Sequence, residues 1–344
     1  NKIYLYFNMK SYNPEYNVKQ YSNRTIKKIL TSNNKTKKKF SDINHFVDIN
    51  NNNILDINKN KKEINKLLID NIIKYNKINP QNIIPPRQCY SNCWFNVLFM
   101  MHFVSDKGRK FFEPMRLTMI KGNYDKTLVK NTDIKKFKKA LFLFNIAIDA
   151  VLTGSSFSNN MNTNQLIMYI YDSMKVKKSW LKKKGEFGNS LDYFLALMKL
   201  VYKKEFFNFI ILNKVNNINS TFILPNVINL SYLPELIIIE LYDNSSKKIS
   251  NKKNILSVKY DDNHYDYILD SICIRDVRGE HVGCYITLNK QGYFFDGDSS
   301  SRIKKINWKT NKFLNANKNI TFEEKTANFN LRSGYQILYY FRHN

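Results

Sequence analysis

Two segments of this chain, far apart in sequence, hold residue types that together could do nucleophilic chemistry. Residues 88–95 read Gln-Cys-Tyr-Ser-Asn-Cys-Trp-Phe, and residues 279–288 read Gly-Glu-His-Val-Gly-Cys-Tyr-Ile-Thr-Leu. A thiol is a poor nucleophile at neutral pH until a base or a local positive field favours the thiolate. Cys93 heads an apolar, helix-like run from Trp94 to Met101, and the polar Tyr90-Ser91-Asn92 precedes it. That pattern puts Cys93 in the first turn of a helix, where the dipole favours negative charge. Cys89 is the competing thiol, in a loop with no helix behind it.

His281 is the base candidate among five histidines, because a strand of alternating character follows it and can hold its ring rigidly. His264 is its rival, in the polar turn Asp261-Asp262-Asn263. His102 is expected on a helix surface or partly buried, and His45 and His343 lie in low-complexity or terminal sequence. A hairpin turn over Asn289 to Gly292 would place His281, Asp296 and Asp298 on one sheet face. With the turn centred there, Asp296 lies some residues from the position opposite His281, so contact requires a bulge or a different turn. Asp296 is the expected orienter of the imidazole, with Asp298 as the alternative. The Gln88 amide, together with the Cys93 backbone N–H, could stabilise an oxyanion.

Rigid elements must carry these groups. Pro85 and Pro86 set an extended approach to the Gln88 loop. Apolar periodicity predicts helices over about 64–78, 93–104, 134–152, 162–175 and 189–203. Strands are expected at 206–212, 236–241, 268–275, 282–288, 292–295 and 335–340. Helices first and strands second indicate an α+β protein with segregated halves. Residues 1–80 form an Asn/Lys-rich basic arm, with a cluster from Lys35 to Lys39 and an Asn run from Asn50 to Asn53. The rest, 81–344, is expected to be the catalytic domain, mainly helical over 81–203 and mainly β over 204–344.

Composition narrows the classes. A chain of 344 residues with 43% hydrophobic content can bury a large core. Its net charge of +27 calls for an acidic surface or nucleic acid as a neighbour, or reflects the Asn/Lys/Ile bias of an AT-rich, for instance viral, genome. Four cysteines are too few for a disulfide framework and include no C-x-x-C zinc pair, so a reducing intracellular compartment is expected and no cofactor is implied. No apolar run reaches membrane-spanning length, and the opening Asn1 to Phe7 is too short for a signal peptide.

Five segments resemble, in family order, those of the ubiquitin-specific proteases. The Cys93 segment is similar to the family's cysteine box. His281 to Tyr285, followed by Tyr293 to Asp296, resembles its histidine box. Asn189 to Met198, Leu233 to Leu241 and Ser333 to Tyr340 resemble three further boxes. The resemblance covers about 81–344 and implies a papain-like cysteine protease fold, with a helical thumb, an antiparallel β palm and a catalytic cleft between them. It also implies a ubiquitin-like protein as substrate. Gln88 stands where the family has Asn, Val282 where it has Tyr and Glu280 where it has Gly, and no Cys pairs support a zinc-bearing fingers insertion.

The reading is a thiol peptidase or isopeptidase with Cys93, His281 and Asp296 as triad, acting on a ubiquitin-like conjugate or a viral structural polyprotein in host cytoplasm, nucleus or virion. The alternative is a retired protease fold serving as a basic structural, nucleic-acid-binding or capsid-binding protein. An acyltransferase or transglutaminase with the same residue order is a third.

Overall fold

A computed structural model of the chain describes residues 45–48, 53–74, 78–88, 91–155, 158, 163–175, 190–201, 209–215, 233–241, 252–260, 262–276, 281–298, 303–321 and 327–343. Lys35 to Lys39, Asn50 to Asn52, Cys89, Tyr90 and Glu280 lie outside the described residues. Two compact units emerge, one drawing on 45–96 and 111–201, the other on 97–110 and 209–343.

The first unit opens with a hairpin of β1 (His45–Asp48) and β2 (Asn53–Asp56), followed by α1 (Lys61–Lys74). Ile64, Leu67 and Leu68 of α1 are buried, so this part of the Asn/Lys-rich stretch packs into the unit. Helix α2 (Cys93–Phe103) begins in the first unit and ends in the second, and α3 (Asp106–Phe111) follows it. The first unit then continues with α4 (Glu113–Lys121), α5 (Ile134–Thr153), α6 (Thr163–Ser173) and α7 (Ser190–Val201). Helix α5 keeps Lys135, Lys136, Lys138 and Lys139 outside, and from Ala140 to Thr153 every residue is buried. A helix enclosed on all sides forms the centre of its unit, and each fully buried Leu or Phe contributes roughly 1.5–3 kcal/mol. Its polar residues have partners: Arg116 Nε donates to Asn145 at 3.3 Å, and Asn71 Nδ2 donates to Asp149 at 3.0 Å. Gly154 ends the helix with φ 73°, and a Cβ there would stand 2.2 Å from the Asn82 carbonyl oxygen. Only glycine meets both conditions.

The second unit is a sheet built from β3 (Phe209–Val215), β4 (Leu236–Leu241), β5 (Ile255–Tyr260), β6 (Asn263–Arg275), β7 (Val282–Leu288), β8 (Gln291–Phe295) and β9 (Lys304–Lys305). Short helix α8 (Asn311–Leu314), the pair β10 (Ile320–Thr321) and β11 (Asn328–Phe329), and β12 (Gln336–Arg342) complete it. The order is β3-β4-β12-β6-β7-β8-β9. Strand β5 pairs with the first half of β6, and β7 with the second half. The antiparallel palm expected from sequence needs correction, because β3 runs parallel to β4 and the sheet is mixed. The segment 216–235 between them is long enough for the crossover that a parallel pair requires. The protein therefore has a mixed α/β architecture. Strand β5 is unanticipated by the sequence reading, although its burial alternates along Leu256 and Val258 as a half-covered strand should.

One sheet face builds a core from Ile237, Ile272, Tyr285, Phe294, Leu338 and Tyr340, with Trp308 and Phe329 laid over it. Tyr339, between Leu338 and Tyr340, points to the opposite face and bonds His102 of α2 at 2.7 Å, Oη to Nε2, with the two rings stacked at 5.4 Å. The expectation for His102 was wrong. It is fully buried, because α2 is apolar all round and offers no solvent face for it. Burial lowers its pKa from 6.5 to about 3, so the ring is neutral.

Candidate active site

Cys93 is the first residue of α2, as the polar-to-apolar transition predicts, and is 2% exposed. The Asn92 carbonyl starts the helix by accepting the Phe95 and Asn96 N–H groups at 3.0 and 3.1 Å. Phe95 locks the first turn into the helical unit. Its ring lies 5.3 Å from Phe194, 5.6 Å from Tyr193 and 5.9 Å from Phe144. The N–H groups of a first turn have no acceptor within the helix, so this position offers a thiol both a positive field and a backbone donor.

A buried polar relay underlies that turn. Asn92 Nδ2 donates to Thr163 Oγ1 at 2.7 Å, Thr163 Oγ1 donates to Asn96 Oδ1 at 2.7 Å, and Asn96 Nδ2 donates to the Arg87 carbonyl at 3.1 Å. Gln88 follows directly, half-buried, and its Oε1 is enclosed with no partner among the described residues. Thr163 and Asn96 escape sequence reasoning. The only hint is the pair of asparagines one turn apart, either side of the nucleophile candidate.

In the other unit, His281 precedes β7 and Asp296 follows β8. The connecting turn is shorter than expected. Asn289 and Lys290 both have positive φ, 48° and 63°, and Leu288 pairs with Gln291. A two-residue turn of this kind suits the twist of the strands. It sets Cys284 opposite Phe295, and continuing that register puts Asp296 opposite Gly283, diagonal to His281 on the same face. The different turn thus removes the need for a bulge. His281 Nε2 and Asp296 Oδ1 are 2.6 Å apart, with Asp296 only 2% and His281 13% exposed. The same Asp296 oxygen accepts the Asp298 backbone N–H at 2.9 Å. Asp298, the alternative orienter, therefore also holds Asp296 in place.

Glycine at 283 is needed for this arrangement, because a Cβ there would stand 2.6 Å from the Phe294 ring. Phe329 backs the imidazole at 6.0 Å and touches Phe294 at 5.3 Å. Asp276 clasps the backbone of His281 at both ends: its carboxylate accepts the His281 N–H at 3.1 Å, and its own N–H donates to the His281 carbonyl at 2.8 Å. Sequence reasoning missed Asp276, since a carboxylate at a strand end has no distinguishing pattern. With Nε2–H given to a buried carboxylate, the neutral ring keeps its lone pair on Nδ1, the nitrogen then able to take a proton.

The remaining candidates separate from this set. His264 is an exposed strand residue paired with Lys259. Cys273 and Cys284 face each other across β6 and β7, both buried. Burial, then Cys273 and Asp296, pushes the Cys284 thiol well above its ordinary pKa. Cys93 and Gln88 belong to the helical unit, His281, Asp296 and Asp298 to the sheet unit. Among the described residues no group of three His, Cys, Asp or Glu could hold a metal ion, and no helix is long and apolar enough to cross a membrane.

No family model matches the chain, and no curated protein does. Solved structures resemble it in outline. The SAGA DUB module Ubp8/Sgf11/Sus1/Sgf73 bound to monoubiquitin aligns at 10% identity over 93% of this chain and 84% of that one, with a TM-score of 0.47. The Ubp8-Sgf11-Sgf73-Sus1 module gives 10% identity, 88% and 80% coverage and 0.44. The module bound to ubiquitin aldehyde gives 11%, 88% and 81%, and 0.46. At these values the likeness decides neither family nor activity, and the residues have to carry the function.

Proposed function

We propose that this protein is a thiol-dependent peptidase or isopeptidase. The observation that carries the reading is the His281–Asp296 pair at 2.6 Å, fixed in a buried hairpin end so that Nδ1 is the basic nitrogen. An imidazole clamped by a buried carboxylate, itself pinned by a backbone N–H, is a costly arrangement for a strand end with no chemical role and an apt one for a general base.

In this reading Nδ1 of His281 takes the Cys93 proton, and Sγ forms a bond to the substrate carbonyl carbon. The oxyanion is met by the Cys93 backbone N–H and the Gln88 side-chain amide, each such donor supplying about 3–4 kcal/mol. His281 returns the proton to the departing amine as the C–N bond breaks. Water, giving a proton to the same nitrogen, then attacks the thioester carbonyl; the C–S bond breaks, the acid leaves, and the proton returns to Cys93 Sγ. Asp296 stabilises the imidazolium in both half-reactions. The five segments similar to ubiquitin-specific proteases supply the substrate class, the carboxyl end of a ubiquitin-like protein.

The test is turnover of a ubiquitin C-terminal coumarin amide. Activity in the native protein and in Cys89→Ala, lost in Cys93→Ala and His281→Ala, is the expected pattern. Activity surviving Cys93→Ala would remove the proposed nucleophile.

A further inference from the structure

We infer that Thr163, at the start of α6, is a positioning residue that sets the oxyanion donors beside Cys93 through the Asn92–Thr163–Asn96–Arg87 relay. This rests on the peptidase reading of Cys93. A threonine hydroxyl donates one bond and accepts others; here it accepts from Asn92 Nδ2 and donates to Asn96 Oδ1, both at 2.7 Å. Asn92, Asn96 and Thr163 are each at most 1% exposed, so water cannot replace a lost partner.

The relay ends at the Arg87 carbonyl, 3.1 Å from Asn96 Nδ2. That carbonyl belongs to the same rigid peptide as the Gln88 nitrogen. Fixing its plane fixes where the Gln88 Cα sits and so limits where its side chain can reach. At the other end, Asn92 immediately precedes Cys93 and its carbonyl starts α2. One hydroxyl from a different helix thereby ties together the two segments that bear both oxyanion donors. Gln88 Oε1 is buried with no bond to a described residue, so the Arg87 carbonyl is the point nearest to Gln88 that the relay holds. Misplacing such a donor by about 1 Å costs on the order of 100-fold in rate.

Two reagents separate this role from a merely structural one. Acylation of Cys93 by p-nitrophenyl acetate passes through a tetrahedral oxyanion; alkylation by iodoacetamide does not. In Thr163→Val, which keeps the volume, the ratio of acylation to alkylation rate should fall roughly 10- to 100-fold, and Thr163→Ser should restore it. Asn96→Leu, which keeps helix propensity and cuts only the two Asn96 bonds, should lower the ratio likewise if Thr163→Val fails to fold. An unchanged ratio in both variants, equal slowing of both reactions, or no rescue by serine overturns the inference. If Cys93 of the native protein reacts with neither reagent, the peptidase reading itself falls and takes the inference with it.

Discussion

Replacing Asp296 by Asn separates the two things its carboxylate does for His281. Oδ1 accepts two donors, His281 Nε2–H at 2.6 Å and the Asp298 N–H at 2.9 Å. An asparagine amide in that place is held with its oxygen toward both donors, because the reversed amide would oppose N–H against N–H. The tautomer of His281 therefore survives, and only the negative charge is lost. A hydrogen bond to a charged group contributes roughly 1.5–3 kcal/mol against about 1 kcal/mol for a neutral one, so the imidazolium loses about 1–2 kcal/mol. At 2% exposure, solvent screening takes little from that figure. By the conversion of about 1.4 kcal/mol per pH unit, the imidazolium–thiolate limb of the rate–pH curve moves by about one unit. The assay is alkylation of Cys93 by iodoacetamide from pH 5 to 10, with site mapping. Asp296→Asn should show that one-unit displacement with roughly tenfold slower labelling at its most sensitive pH, and Asp296→Ala a larger loss. A fall on the order of 10⁴-fold in Asp296→Asn, the mark of a reversed tautomer, would refute the two-donor argument, as would no displacement at all.

Two stability predictions concern a buried ring and a helix end. The unfolded chain protonates His102 below 6.5 but the folded chain only near 3, so its stabilising effect is present above pH 6.5 and is lost as pH falls toward 3. His102→Gln should flatten the urea midpoint against pH across that window, and an unaltered slope would mean the ring is not buried neutral. Gly154→Ala forces a side chain into φ 73° against the Asn82 carbonyl and should lower the thermal midpoint by several degrees, at a cost of about 1–3 kcal/mol. An unchanged midpoint would show that this helix end is not built as described.

The sequence made most of the long elements legible, missed β1, β2, α4 and β5, and left much of the pairing hidden. The start of α2 at Cys93 could be read because a polar loop meets an apolar run there, and β7 and β8 because β-branched and aromatic residues flank the turn residues Asn289 to Gly292; β7 itself is buried along its whole length and does not alternate. The same apolar run concealed His102: in a helix buried all round, periodicity gives no face on which to place a polar ring. The His281–Asp296 contact hinged on where the turn sits. Asn-Lys-Gln-Gly admits more than one centre, and only the positive φ of Asn289 and Lys290 selects the register that brings the carboxylate within reach. The parallel pairing of β3 with β4 joins strands some twenty-five residues apart, which no local pattern encodes. Thr163 was out of reach for the same reason, since its bonds to Asn92 and Asn96 join residues about 70 positions apart.

In the proposed function, Cys93 and His281 work as one catalytic pair on a ubiquitin-like substrate. Its most direct test is trapping with ubiquitin that carries a thiol-reactive group in place of its C-terminal carboxylate, read by intact mass and peptide mapping. One adduct is expected, at Cys93, formed by the native protein and by Cys89→Ala, and suppressed in Cys93→Ala and His281→Ala. An adduct at Cys89, or one at Cys93 whose rate does not depend on His281, would contradict it.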